Sequence, residues 1–242
     1  MRQERAELTR QALTMAAATS FDRLGYQRTT LFEVSRGAAM SKGALSFHFG
    51  SKEELADTVR REACTQSLKA ADALRSGEQP ALQTLIDLTH LVAHQLEHDH
   101  LARAAVKLAH ELDTPPDPAV NPFACWQQVF TDVAREAEKE GSLRCEATTE
   151  AVAELAFCLA SGAHSEQAGR PVDAGIDVHR RLAAHWELLL HGLVARPGAG
   201  ELRSAGSRTD WRPMAAREDA REDAREETTR GARDAEQERT PA

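Results

Sequence analysis

The chain has 242 residues, a formal net charge of −8, 41% apolar residues and a single tyrosine. That length can bury one large core or two modest ones. Abundant Ala and Leu with few aromatics favour helices over sheets. The acidic total excludes adhesion to nucleic acid through bulk charge, but the charge is unevenly spread. Residues 1–60 hold nine Lys/Arg and seven Asp/Glu, a net +2; residues 61–200 hold twelve against twenty, and residues 201–242 nine against eleven. Only the first section is positive, so any phosphate affinity has to come from placement and dimerisation. Of the 30 basic residues 25 are Arg, which with the abundant Ala fits a GC-rich genome and says nothing of mechanism.

Cys64, Cys125, Cys145 and Cys158 are widely spaced and contain no CxxC pair. A disulfide framework and a Cys-pair zinc site are therefore not expected, and a reducing cytoplasm is. The N-terminus leads into an amphipathic pattern rather than an apolar signal core. No run approaches the about 18 apolar residues of a membrane span.

Residues 5–25 carry Leu8, Ala12, Met15, Ala16 and Phe21 at helical spacing and end at Gly25. Thr30 N-caps a second helix, Leu31 to about Ala38, and Glu33 completes a capping box. Ser41 caps a short helix through Phe47. Ser51 caps a fourth, reaching about residue 75, with Lys52, Glu53 and Glu54 in its first turn. Further helices are expected at roughly 80–98, 101–111, 122–140, 147–167 and 176–195. Breaks fall at Ser76-Gly77, the Pro115/Pro116/Pro118 cluster, Gly141 and Gly169-Arg170-Pro171. No strand alternation appears, so the expected fold class is all-α. From 201 the periodicity stops, and the charged repeats Ala216–Asp219, Ala220–Asp223 and Ala224–Glu227 offer no apolar stripe, which reads as a disordered tail.

Two Ser/Thr caps about ten residues apart, with a short turn between their helices, are the local signature of a helix-turn-helix. The run Ser41 to Phe49 suits the helix that enters the major groove. Ser41 and Lys42 stand at its exposed start, and Gly43 and Ala44 let the backbone approach base edges and thymine methyls. Leu45 and Phe49 are the expected inward anchors. Lys52 opens the next helix, where a cation and amide N–H groups together suit a phosphate.

The spaced pattern Gly25-Tyr26, Thr29-Thr30, Glu33-Val34, Lys42-Gly43-Ala44-Leu45, Phe47-His48-Phe49 and Lys52-Glu53-Glu54-Leu55 resembles the N-terminal domain of the TetR family of repressors. Its KGAL-x-FHF-x-x-KEEL form particularly resembles the gamma-butyrolactone receptor branch, which controls antibiotic production in filamentous actinobacteria. The resemblance is dense over residues 8–60 and diffuse but collinear to about 195. It implies that Thr30, Ser41, Lys42, Gly43, Ala44, Ser46, His48 and Lys52 lie at the DNA. Two positions depart from the family pattern. Ala39 stands where Gly is usual, at a turn whose left-handed conformation costs a residue with Cβ roughly 1 kcal/mol. Ser46 stands where a Tyr commonly touches the DNA backbone, which weakens binding or shifts its preference.

The resemblance also implies a homodimer that presents two reading helices to a palindromic double-stranded operator. Helix 147–167 has Val152, Leu155, Ala156, Leu159 and Ala163 on one stripe, and helix 176–195 has Val178, Leu182, Trp186, Leu189 and Leu193. Such helices can pair with their copies as a four-helix bundle, or pack on the rest of the chain. A sensor cavity is expected among the helices of 80–140, with Trp126, Val129, Phe130, Thr89, Phe157 and Ser161 as ligand-binding residues. Ser161-Gly162 takes the place of a Thr-Gly pair in the receptors. The implied ligand is a small lactone; butenolides, furans and, for pseudo-receptor relatives, antibiotics or intermediates fit equally. The expected organisation is a DNA-binding domain at 1–52, a ligand-binding and dimerisation domain at 53–197 and the charged tail at 198–242.

His90, His94 and His98 share one helix face, but no acidic or Cys ligand lies at an obvious third position and HExxH is absent, so neither a metal nor another cofactor is expected. No GxGxxG or GxSxG appears, and no nucleophile has a positioned base in the sequence, so no enzyme is expected.

Overall fold

The computed structural model describes residues 2–113, 115, 117–144, 146–165, 177–195 and 202–207. These residues form α1 (Arg2–Arg28), α2 (Leu31–Gly37), α3 (Lys42–His48), α4 (Lys52–Arg75), α5 (Ala81–His98), α6 (His100–Glu111), α7 (Pro122–Lys139), α8 (Thr149–Ser165) and α9 (Val178–Leu193). Among the described residues the β structure is one isolated bridge, Leu143 to Val194. No helix among them is long and apolar enough to cross a membrane. The break at Gly169–Pro171 and Cys145 lie outside the described residues.

The first four helices begin and end where local chemistry directs. Near its end α1 breaks at Gly25 (φ 76°), where an added Cβ would stand 2.5 Å from a carboxylate oxygen of Glu111. That carboxylate accepts the next N–H, from Tyr26, at 2.6 Å. Thr30 caps α2 in a complete capping box: its hydroxyl oxygen accepts from the Glu33 N–H, while the Glu33 side chain accepts from the Thr30 N–H. Ser41 and Ser51 cap α3 and α4 by accepting from Ala44 and Glu54 N–H, both at 3.1 Å. Between α2 and α3 the chain turns through Ala39 at φ 54°, the left-handed conformation expected there.

One apolar cluster joins α1–α4, through Leu13, Phe21, Val34, Leu45, Phe49 and Leu55, to Leu101, Ala104, Ala105 and Leu108 of α6. Helix α5 runs through the middle of the remaining helices and is buried on nearly every face from Ala81 to Ala93. It packs against α7, α8 and α9. Helix α4 spans both regions, with Leu55, Ala56 and Val59 in the first core and Ala63, Cys64 and Ser67 buried farther along.

The expectation of a disordered tail from 198 onward fails at residues 202–207, which lie against α5. Gln83 clasps Arg203 at both backbone groups, accepting its N–H at 2.7 Å and donating to its carbonyl at 3.2 Å. Asp87 accepts the Ser207 N–H at 2.8 Å and the Ser207 hydroxyl, together with the side-chain amides of Gln79 and Gln83. His90 Nε2 lies 2.9 Å from the Ser204 carbonyl and can only donate to it. The tautomer follows: His90 Nδ1 is left to accept from His179 Nδ1, 2.9 Å away. Burial holds both rings below the usual imidazole range, which keeps this arrangement neutral. The histidine stripe thus faces α9 and this strap; the His94 ring lies between those of His98 and His179, tilted against both. A buried carboxylate needs such partners, because water cannot reach it.

Replacing Asp87 by Ala should lower stability by about 1–3 kcal/mol, measured by urea unfolding. A chain ending at residue 201 should lose a comparable amount, and the two changes together should be clearly less than additive. Full additivity would mean that the strap and Asp87 act separately.

Candidate DNA-reading face and ligand cavity

On α3 the side chains divide by face. Leu45 and the adjoining Phe49 are buried, Ala44 and His48 are half-buried, and Ser41, Lys42, Gly43 and Ser46 are exposed. Ser41 accepts a backbone bond at its oxygen and so retains its hydroxyl proton for an outside acceptor. Arg10 of α1 fixes the far end of α3, donating to the His48 carbonyl at 3.1 Å and lying over the Phe49 ring at 4.5 Å. Thr30, exposed at the start of α2, gives its hydroxyl proton to Glu33 at 2.9 Å. Hydrogen bonds from the Thr30 N–H and hydroxyl hold Glu33 below the usual carboxylate range.

Lys52 differs from expectation. Its ammonium donates to the carbonyls of Tyr26 at 2.8 Å, Thr29 at 3.0 Å and Gln27 at 3.4 Å, and it sits 4.2 Å from the centre of the Tyr26 ring. A lysine has three protons to give, and all three are directed at the end of α1. Lys52 therefore joins α4 to α1 rather than projecting toward a phosphate. Tyr26 completes this joint by donating to Glu53 at 2.8 Å; burial and that carboxylate push its phenol up to about 12.

Phe47 was not among the residues expected at the DNA. It is 82% exposed on α3, with Phe32 of α2 also exposed. The alternation of Leu45, Phe47 and Phe49 suggests a common inward role, but helical geometry puts Phe47 about 160° round from its inward-facing neighbours two positions away. An unburied Phe on a reading helix offers an apolar edge to a thymine methyl.

The cavity lies among α4–α8, with about 650 Å³ free of protein atoms, part of it open to solvent. Trp126, Phe157 and Ser161 line it, as expected. Val129, Phe130 and Thr89 are not in the lining. Phe130 lies behind it, its ring 6.1 Å from Trp126 and 6.0 Å from Phe157, and Val129 is buried on the same helix. Thr89 is committed to packing, donating to the Ile86 carbonyl at 2.7 Å and accepting the Trp186 indole N–H at 2.9 Å. Residues not anticipated complete the wall: Cys64 and Ser67 from α4, Gln95 from α5, Ala105 and His110 from α6, and Cys125 from α7. Ser67 donates to Gln95 at 3.2 Å, a polar contact in a lining that is otherwise mostly apolar apart from His110 and Ser161.

Helix α6 links the two regions. Its Ala105 belongs to both the cavity wall and the core beneath α1–α4. A polar clamp strengthens the junction: Arg103 meets Asp22 of α1 at 2.9 Å, His100 approaches the same carboxylate at 2.6 Å, and Lys107 donates to the Asp22 carbonyl at 2.8 Å. Partial burial pushes the Asp22 carboxyl up, but the bonds from Arg103 and His100 prevail and hold it below its ordinary value.

Residues 13–59 match the model for bacterial regulatory proteins of the tetR family, and residues 79–195 match that for a tetracyclin repressor-like C-terminal domain. A solved gamma-butyrolactone receptor, described as an ArpA-like protein, superposes with a TM-score of 0.69 at 29% identity over 83% of this chain and 96% of its own. The TetR family protein CprB of Streptomyces coelicolor, solved with its biological operator sequence, gives 0.65 at 32% identity over 83% and 94%. The chain belongs to the TetR family. It is a TetR-family regulator related to gamma-butyrolactone receptors. The A-factor receptor protein of Streptomyces griseus is 36% identical over 110 residues, 46% of this chain and 38% of that protein. The matched segments span less than half the length of the curated relatives. Two others, from Pseudomonas putida, are the HTH-type transcriptional regulator TtgR and the probable HTH-type transcriptional regulator ArpR. In this TetR-family chain α4 begins inside the first match and runs on through the stretch of residues 60–78 that lies between the two.

The Asp22 clamp has a pH signature. A carboxyl with a depressed folded pKa contributes stability above its unfolded value, about 3.9, and loses that contribution as pH falls through the folded value. Asp22→Asn should cost about 1 kcal/mol near neutrality, a figure reduced for solvent screening. Urea melts from about pH 6 to pH 3 should show a flatter pH dependence in the variant than in the parent.

Proposed function

We propose that this regulator is a repressor that occupies a palindromic operator as a homodimer and is released by a small lactone-type signal, controlling genes of secondary metabolism such as antibiotic production. Residues up to 52 would read DNA, and those to 197 would sense the ligand and dimerise. The observation that carries the reading is the double membership of α4 and α6, whose side chains both support α1–α3 and line the cavity. A ligand that needs a wider cavity favours a displaced α4 and α6, and hence reading helices out of register with the operator. Release follows only if the ligand binds that displaced state more tightly.

Several features support the parts. Ser41, Lys42, Gly43, Ala44, Ser46 and His48 occupy one short capped helix, which suits backbone anchoring and close approach to bases. Dimerisation is supported by the outer faces of α8 and α9, where Ala151, Cys158, Gly162 and Ala184 are exposed and Leu188 is 76% exposed. Small residues and a projecting Leu suit close helix packing. The lactone assignment is supported by the apolar wall around Trp126 and Phe157, with Ser161 and the Ser67–Gln95 pair as polar contacts for a ring oxygen.

Two experiments test this. In gel shifts against the promoter of the protein's own gene, Phe47→Ser should weaken binding about tenfold, because it removes an apolar edge from the groove. Ser46→Tyr should strengthen binding, because a phenol hydroxyl at that position can reach the DNA backbone. Unchanged affinity in both variants would remove α3 as the reading helix. Trp126→Leu should retain operator binding but need much more lactone for release. If it lets go at the parent's ligand concentration, the cavity is not the sensor.

A further inference from the structure

The cavity contains two thiols for which repression has no use. Cys64 and Cys125, from α4 and α7, are 61 positions apart, are 2% and 1% exposed, and both line the cavity beside Trp126. The Cys125 thiol donates toward the Cys64 carbonyl, 3.9 Å away, and neighbours the Cys64 side chain. Donation from Cys125 holds the Cys64 thiol below its usual range against the opposing effect of burial, with Arg60 and Arg61 assisting. The same bond, with burial, pushes Cys125 up. The two sulfurs are thus unequal. Cys64 is the readier of the two to become the thiolate, the form that attacks carbon, and Cys125 the readier to keep its proton.

We propose that Cys64 captures ligands of the α,β-unsaturated carbonyl class, such as unsaturated lactones and enones, by conjugate addition, with Cys125 as the proton donor. This rests on the reading of the cavity as the ligand site. The Cys64 sulfur bonds to the β-carbon, and the π electrons move to the carbonyl as an enolate. The α-carbon takes the Cys125 proton, and Cys125 regains the one Cys64 released. One S–C and one C–H bond form, one S–H and one C–C π bond are lost, and neither oxidant nor leaving group is needed. The apolar wall favours a lipophilic electrophile over a peroxide, which requires no such cavity.

The test uses the full chain with α-methylene-γ-butyrolactone and its saturated counterpart, α-methyl-γ-butyrolactone. Intact-mass spectrometry should show a single increment equal to the whole unsaturated lactone. Peptide mapping should place it on Cys64, formed about tenfold faster than on the same peptide in the urea-unfolded chain. Cys64→Ser should abolish the fast adduct, Cys125→Ala should slow it several-fold, and the saturated lactone should add nothing. Reaction at the exposed Cys158 alone, or at Cys64 no faster folded than unfolded, overturns the proposal without recourse to any variant. Operator release is read in parallel. Release by the saturated lactone with Cys64 unmodified by the unsaturated one sinks the thiol chemistry and leaves the sensor reading intact. A fast Cys64 adduct that leaves the operator bound supports the chemistry and sinks the sensor reading.

Discussion

A three-helix unit of roughly fifty residues buries too little apolar surface to hold its own shape. In this chain the deficit is met by α6. Leu101, Ala104, Ala105 and Leu108 are fully buried against the core of α1–α4, so the N-terminal helices have no complete core without a helix from the cavity region. Coupling between the two regions is thus not an addition to the fold. It is the means by which the small N-terminal unit is stable, and whatever moves α6 must be felt beneath α3.

The polar contacts sharpen that dependence. Asp22, Tyr26 and Glu111 are joined across the α1–α6 junction by bonds from charged or buried groups. At the opposite side of α1, Lys52 gives its protons to the carbonyls left over where α1 ends. Helix ends leave such carbonyls without partners, and a cation there also meets the negative end of the helix dipole. The N-terminal unit is therefore held by α4 at its exit and by α6 along α1. Under the proposed release, a ligand that displaces either support acts on α3 without touching it.

What could be read from the sequence was what local geometry decides. The Thr30–Glu33 capping box, the caps at Ser41 and Ser51 and the left-handed Ala39 each depend on residues within four or five positions. Trp126 and Ser161, named through the family resemblance, and Phe157 line the cavity. Other features depend on separations that no local pattern records. Lys52 meets the end of α1 more than twenty residues away, Thr89 is claimed by Trp186, and Asp87 waits for Ser207. Cys64 and Cys125 looked unrelated for the same reason. A signal for the strap did exist: Gln83, Asp87 and His90 share one face of a helix that is buried on nearly every side, and a buried polar stripe requires a partner.

That stripe also bears on how the sensor region responds. Helix α5 presents Val92, Gln95 and Leu96 to the cavity, while one turn or more earlier it is tied to the strap and to α9. The strap bonds go to backbone groups of residues 203, 204 and 207, so they fix α5 by direction as well as by burial. Helix α5 is thus anchored on the side away from α1–α3. Helices α4 and α6 instead rest their other faces on the small N-terminal core. A two-state equilibrium responds to a ligand only through the difference in its affinity for the two states, so the proposed release requires that difference to be expressed at α4 and α6. The polar anchors of α5 lie far from α1–α3, whereas the clamp at Asp22 ties α6, a wall of the cavity, directly to α1.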